Sequence, residues 1–317
     1  MLSLDIENGK LRCAQGKSRA GAAVVSGYFE VEFPEEVSLL SEGAPEKLGE
    51  ILAKELRERH VRDKKCTVSL RSPDLFFRRV TLPKAGSAQV KDMVSHALSG
   101  ILTAKDYYVD YTVEREYVEN GKKKLDVLLC GAPKILSKAY YSMLLAANLF
   151  PHRMDAQQNL IHRLLLQNSA INGVTLRNQA VLLIDAGNSV ISSDLIVEGR
   201  SVFERTINAK ARRGPLDIYD SYDGPGAPNE GGMGRVYAKI QDEAGKMLQF
   251  SLTKTVDKAV SQIFLYGENS ADLELLESLP DLGVAVQPIR EVTGIKLAKG
   301  YDGPDVCKIC GLLAALL

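Results

Sequence analysis

The chain has 317 residues, a length that suits one large domain or two medium ones. Lysine plus arginine and aspartate plus glutamate number 40 each, so the charge balance gives no reason to expect nucleic acid or anionic lipid as a partner. The sequence contains no apolar run near the ~18 residues that span a bilayer, and the acidic residues Asp5 and Glu7 are unlike a signal peptide. We therefore expect a cytoplasmic protein without direct membrane insertion.

The cysteines agree with a reducing compartment. There are five of them, an odd number. Cys307 and Cys310 form a C-x-x-C pair without a second pair or a histidine partner, so the spacing does not favour a zinc site. Residues three apart on a helix share one face, and we expect these two thiols to pack in the core.

Hydrophobic periodicity predicts alternating strands and helices in the first half. In chain order it predicts a short strand within 2–9 that ends in an acid and a turn, strands at 11–15 and 22–31, a helix at 44–60, strands at 66–70 and 75–82, a helix at 87–104, strands at 107–118 and 125–132, and helices at 134–149 and 155–168. Asn120-Gly121 predicts a tight hairpin. Residues 82–150 are thus a candidate α+β unit inserted into the first half.

The second half begins with the segment 179–207. Its apolar run at 181–184 is typical of a strand covered on both faces, and the turn Asp185-Ala-Gly187 ends that run. The patterns then predict strands at 194–197 and 201–207, a flexible Gly/Pro-rich loop at 221–235, a helix at 236–259, a strand at 260–266, a helix at 271–279, a strand at 283–286 and a helix at 305–317. The glycines of the loop lack Walker spacing, which excludes a P-loop.

A strand followed by an aspartate, a turn and returning strands opens each half. This repetition suggests a duplicated core, in which the two turns face each other across a cleft. A phosphate could bind there to backbone N–H groups, with a carboxylate holding a metal ion. Two unrelated antiparallel meanders would give the same pattern, and the residues alone leave both interpretations open.

The order of these motifs resembles the actin-like ATPase superfamily, which includes actin, Hsp70, sugar kinases and FtsA. Within it, the chain resembles the PilM-like proteins of type IV pilus assembly over nearly its whole length. The segments that carry the resemblance are 77–83 (FRRVTLP), 126–134 (DVLLCGAPK), 182–187 (LLIDAG), 263–267 (IFLYG) and 311–315 (GLLAA). Each is short, and their order and spacing together make the case.

The resemblance implies an α/β, actin-like (ribonuclease H-like) duplicated fold of two lobes. The first lobe would comprise 1–81 plus 151–178, with a small α+β subdomain at 82–150 inserted in it, and the second lobe would be 179–317. It also implies a scaffold that binds the cytoplasmic tail of a PilN-like membrane protein in a groove beside the inserted subdomain. Other pilus assembly proteins and self-association are further implied contacts, and the chain would lie at the inner face of the cell membrane through its partner.

The resemblance further implies a cleft for ATP and Mg²⁺. The residues that would bind the nucleotide are Asp5, Asn8, Gly9, Asp185, Gly187, Asn188 and Gly267, with Mg²⁺ at Asp5 and Asp185. Two glycines of the family pattern are glutamates here, Glu7 and Glu268, and Ile191 replaces a hydroxyl residue. A glutamate adds bulk and a negative charge where a phosphate would approach. We therefore expect weakened or lost nucleotide binding, unless these side chains point outward.

Two other functions remain as alternatives. An ATP-dependent enzyme or sugar-kinase-like phosphotransferase needs a base near the substrate. No catalytic residue is evident, because the four histidines, at 60, 96, 152 and 162, are scattered and are interpreted as structural or surface residues, so at most a weak ATPase is expected. An FtsA-like division protein would carry a basic amphipathic helix at its end, whereas this sequence closes with the apolar segment 311–317.

Overall fold

A computed structural model describes the chain except for residues 8, 20, 35–37, 99–105, 168–169, 210–232, 254–257, 280–281 and 302. The first half contains β1 (Leu2–Glu7), β2 (Lys10–Arg19), β3 (Ala22–Glu32), α1 (Ala44–Glu58), β4 (Lys65–Leu70), β5 (Phe76–Pro83), α2 (Ser87–Leu98), β6 (Tyr107–Glu119), β7 (Lys122–Pro133), α3 (Lys134–Ala146), β8 (Phe150–Ala156) and α4 (Gln157–Gln167). The second half contains β9 (Ala170–Ile171), β10 (Val174–Thr175), β11 (Ala180–Ala186), β12 (Val190–Val197), β13 (Arg200–Asn208), α5 (Met233–Thr253), β14 (Val260–Tyr266), α6 (Leu273–Ser278), β15 (Ala285–Pro288), β16 (Ile295–Leu297) and α7 (Val306–Ala314).

The two main sheets repeat one topology. The first sheet has the order β3-β2-β1-β4-β8, extended by β16 beside β3, and the second has the order β13-β12-β11-β14-β15. In each, three antiparallel strands are followed by two parallel ones. Simple meanders would pair only antiparallel neighbours, so this arrangement confirms the duplicated actin-like core.

Strand β11 shows why its sequence is apolar without interruption. All seven of its residues are buried. Val181 and Leu183 pack in one core cluster, whereas Leu182 and Ile184 pack in another. Because successive side chains of a strand point to opposite faces, the sheet is covered on both sides. Fully burying one such side chain stabilises the fold by about 1.5–3 kcal/mol.

Helix α7 joins the two cores. Cys307 and Cys310 pack in the cluster of the second sheet, and Leu312 and Leu313 pack in a cluster with residues of β2 and β3. The two thiols are therefore core residues, as their spacing predicted. Within the described residues, no helix combines the length and the apolar character needed to cross a membrane.

A small three-stranded sheet, in the order β5-β7-β6, stands apart from the two main sheets. Helix α2 covers one face of it through Val90, Val94 and Leu98. The sheet begins at Phe76, six residues before the predicted range 82–150, and α3 packs with α1 in the core of the first lobe. The division into 82–150 and its flanking lobes stays a prediction.

Several predicted bounds differ from the structure. Strand β8, at the edge of the first sheet, was missed, and the helix predicted from residue 155 begins at Gln157. Only one face of β8 carries apolar residues, and Pro151, His152 and Arg153 hide its periodicity. Residues 233–235 belong to α5, so the predicted loop at 221–235 is wrong for them. The remainder of that loop, 221–232, lies outside the described residues.

Candidate functional site

The cleft lies where the carboxyl ends of β1 and β11 meet the turn after β14. The structure brings together six of the residues singled out in the sequence, namely Asp5, Glu7, Asp185, Gly187, Asn188 and Glu268, with Gly267 beside Asp185. Asn8 lies outside the described residues. Gly9 lies in the β1–β2 turn, where its carbonyl accepts a hydrogen bond of 2.7 Å from the Phe33 N–H.

Asp5 is engaged by an arginine from the neighbouring strand. Arg12 lies directly opposite Asp5 in the antiparallel register of β1 and β2. Its Nε donates to Oδ1 and its Nη2 to Oδ2 of Asp5, each at 2.8 Å. This is the bidentate geometry that makes arginine–carboxylate pairs strong. Both oxygens of Asp5 thus have a partner, and the carboxylate is 1% exposed.

Glu7 points into the cleft and not outward. Side chains two apart on a strand share a face, so Glu7 lies on the same face as Asp5. Its Oε2 accepts from Arg12 Nη2 and from Arg71 Nη1, both at 2.9 Å. The interpretation that this side chain is turned to solvent is wrong, since the residue is 5% exposed.

The other oxygen of Glu7 binds the turn that follows β11. Oε1 accepts a hydrogen bond of 2.9 Å from the backbone N–H of Asn188. Backbone N–H groups in such a turn form an anion-binding concavity. The carboxylate of Glu7 therefore occupies the backbone N–H group of Asn188, in the turn where a phosphate was expected to bind.

Arg71 connects the two lobes at this point. It follows β4, and its Nη2 donates to Asp185 Oδ2 at 2.6 Å while Nη1 binds Glu7. Gln157 Nε2 also donates to Asp185 Oδ2, at 3.2 Å, and Oδ1 has no hydrogen-bond partner among the described residues. The buried carboxylates of Asp5, Glu7 and Asp185 thus face the two guanidinium groups of Arg12 and Arg71. Burial raises the pKa of Asp185 to about 7.

Two glycines allow these close contacts. A Cβ at position 187 would lie 2.3 Å from Arg71 Nη2 and 2.8 Å from Glu7 Oε1. Gly267 has φ of 94°, and a Cβ there would lie 2.2 Å from Asp185 Oδ1. The space beside Gly187, which suits the close approach of a phosphate, is filled by Glu7 and Arg71. Glu268 is more open, with 42% of its side chain exposed, and accepts from Arg12 Nη1 at 3.1 Å.

The residues of the cleft, as they are arranged here, do not fit a magnesium nucleotide. Asp5 and Asp185, the carboxylates expected to hold Mg²⁺, are each ion-paired with an arginine. The Asn188 N–H is bound to Glu7. Phosphate and metal would both have to displace ion pairs that are almost wholly buried.

Sequence reasoning did not identify Arg12 and Arg71. The position of Arg12 could have been predicted from the hairpin alone, because a register that pairs Glu7 with Lys10 places Arg12 opposite Asp5. Arg71 directly follows a parallel strand, and the carboxyl ends of parallel strands lie at one edge of a sheet. The sequence therefore indicated where Arg71 lies, but it gave no indication that the guanidinium group would form ion pairs in the cleft.

A second feature is a groove of 1310 Å³ beside the small sheet. Its walls come from β6, from α3 and α4, and from the β12–β13 hairpin. Five exposed apolar residues line it, namely Tyr108, Val109, Val113, Tyr141 and Val202. Strand β6 is at the edge of its sheet and pairs only with β7 among the described strands.

The groove also contains buried polar groups. Arg153 Nε and Asn159 Oδ1 line it and have no hydrogen-bond partner among the described residues. His162, interpreted from sequence as structural or surface, lies at the groove beside Asp194 and Glu204. Burial raises the pKa of Glu204 to about 7.

No protein-family model and no curated protein matches the sequence. Among solved structures, a Bacteroides thetaiotaomicron protein described as having an actin-like ATPase fold and unknown function matches with a TM-score of 0.52 and 12% identity, over 99% of this chain and 94% of that one. The chain has the actin-like ATPase fold, as predicted.

One similarity is more specific. The chain matches a structure described as the PilM–PilN type IV pilus biogenesis complex, with a TM-score of 0.73 and 17% identity, over 99% of this chain and 96% of that one. The resemblance to PilM seen in the sequence is thereby confirmed at the level of the fold.

Proposed function

We propose that this chain is a cytoplasmic actin-like scaffold of a type IV pilus or related secretion machine. It binds the extended cytoplasmic tail of a PilN-like membrane protein in the groove beside the small sheet, which recruits it to the inner face of the membrane. Its nucleotide cleft is closed by its own ion pairs. The full-length similarity to the PilM–PilN complex supports the scaffold.

The main support for tail binding is that the groove lies beside β6, the edge strand of the small sheet. An extended peptide beside β6 would add a strand to the small sheet, so its main chain would find hydrogen-bonding partners. The exposed apolar residues Val109, Val113 and Tyr141 would accept its alternate side chains.

The first prediction concerns this groove. Val113→Asp should weaken binding of a synthetic peptide of the PilN-like tail from the same genome by at least about tenfold, because a charge would be buried against an apolar contact. Fluorescence anisotropy with a labelled peptide measures the dissociation constant. Val118→Asp is the matched control, because Val118 lies on the same strand, is 64% exposed and does not line the groove.

Two results would count against the tail-binding proposal. One is that the wild-type chain shows no saturable peptide binding, and the other is that Val113→Asp and Val118→Asp weaken binding equally. Thermal melts of both variants without peptide establish that each is folded.

The second prediction concerns the cleft. Millimolar Mg-ATP should leave the melting temperature of the wild-type chain unchanged, because Glu7 holds the Asn188 N–H and Arg71. A ligand at one hundred times its dissociation constant would add about 2.7 kcal/mol of stability, a shift of a few degrees for a chain of this size. A shift of that size would contradict the closed cleft and favour a nucleotide-responsive scaffold.

A phosphotransferase of this fold has less support. Such an enzyme needs a base free to reach the substrate hydroxyl. In the cleft, Asp5 and Asp185 are both held by arginines. We therefore place the function in the groove.

A further inference from the structure

A second polar cluster lies away from the cleft, where α4 meets β12 and β13. Asp194 on β12 and Glu204 on β13 are directly opposite each other in the antiparallel register. Their side chains are 9% and 8% exposed. Like charges directly opposite on neighbouring strands are destabilising, and burial increases the cost. A pair in this position needs positive charge close by.

His162 on α4 faces this pair of carboxylates. Its Nε2 forms a hydrogen bond with Asp194 Oδ2 and lies 3.9 Å from Glu204 Oε2. One ligand atom from each of the three side chains can be chosen so that all lie within 4.8 Å of one another. One imidazole and two carboxylates are donors that Zn²⁺ accepts, and three protein ligands leave a fourth position open.

The hydrogen bonding of Glu204 is a second observation that points to a ligand at this place. Neither of its oxygens accepts a hydrogen bond among the described residues, although the side chain is more than nine-tenths buried. Arg79 is the nearest guanidinium, but its Nη1 is 3.8 Å from Oε1. The nitrogens of Arg79 donate instead to Ser201 Oγ at 2.8 Å and to Glu114 Oε2 at 3.1 Å. A buried carboxylate with no hydrogen-bonded partner requires an explanation.

We propose that His162, Asp194 and Glu204 bind a divalent transition-metal ion, Zn²⁺ in the first instance, with the fourth coordination position towards the groove. Mixed nitrogen and oxygen donors suit Zn²⁺ better than Ca²⁺ or Mg²⁺, which prefer oxygen ligands alone. His162 and Ser201 line the groove, so the ion would lie at its wall. The ion neutralises the facing carboxylates and ties α4 to the β12–β13 hairpin.

The test uses the full chain, stripped with a chelator and dialysed against Zn²⁺. The wild type should retain a single tightly bound equivalent. His162→Ala and Glu204→Gln should each weaken binding by at least about tenfold, since even residues that only support metal ligands cost about 10–100-fold when replaced. Co²⁺ in place of Zn²⁺ should give the visible absorption of a four-coordinate site in the wild type and lose it in both variants.

Two matched controls separate this site from surface binding. Glu114→Gln removes a nearby carboxylate that contacts Arg79 but is not a ligand. His152→Ala removes an exposed histidine. Both should bind Zn²⁺ as the wild type does. The proposal is overturned if the wild type retains no Zn²⁺, or if His162→Ala and Glu204→Gln bind it unchanged while melting as folded proteins.

Discussion

Replacing Arg71 with methionine is expected to lower the free energy of unfolding by about 3–5 kcal/mol. Arg71 donates to Glu7 from the first sheet and to Asp185 from the second, and its side chain is 3% exposed. Methionine would leave two neighbouring buried carboxylates without this partner. For a chain of this length the melting temperature should fall by roughly 5–8 °C, which a thermal denaturation curve followed by circular dichroism measures.

A matched control and a double variant test the cause of that loss. Lys54→Met removes a surface ion pair with Glu58 in which both side chains are more than half exposed, and it should change stability by about 1 kcal/mol or less. Combining Arg71→Met with Glu7→Gln removes a charge from each side and should recover part of the loss. If the melting temperature of Arg71→Met equals that of Lys54→Met, the ion pairs of the cleft do not stabilise the contact between the two lobes.

The sequence was most informative where local pattern and tertiary environment agree. Strand β11 is apolar throughout because both of its faces are covered, so its pattern alone predicted a central strand. The hairpin at Asn120-Gly121 was predictable because both residues adopt positive φ, 51° and 73°. Strand β8 could not be found in this way, because its position comes from pairing with β4 and not from its own periodicity.

The cleft shows a different limit of sequence reasoning. The departure at Glu7 was visible, and it was interpreted as added bulk and a negative charge that would repel a phosphate. The structure pairs that charge with Arg12 and Arg71, so the carboxylate of Glu7 is neutralised by two guanidinium groups and is not an isolated charge in the cleft. Arg71 is 64 positions away from Glu7 in the sequence. Contacts of this separation depend on how the strands are ordered in the sheet, which the local pattern does not contain.

Glu7→Gly is expected to raise the affinity of the cleft for phosphate above that of the wild type. The substitution places a glycine where the proteins that the sequence resembles carry one. It also removes the carboxylate from the Asn188 N–H and leaves Arg12 and Arg71 each with one carboxylate fewer. An anion at the backbone N–H would then be attracted and no longer repelled. At one hundred times its dissociation constant, Mg-ATP or inorganic phosphate should stabilise this variant by about 2.7 kcal/mol, measured as a rise in its melting temperature.

Glu7→Gln separates the two ways in which Glu7 could exclude a phosphate. The amide keeps the bulk and can still accept from the Asn188 N–H, but it carries no charge. If the filled space is what excludes the ligand, Glu7→Gln should show no shift while Glu7→Gly does. If charge alone excludes it, both variants should shift. A folded Glu7→Gly protein without any shift would show that Glu7 is not the group that keeps phosphate out, and the ion pairs of Asp5 and Asp185 would then be the next contacts to remove.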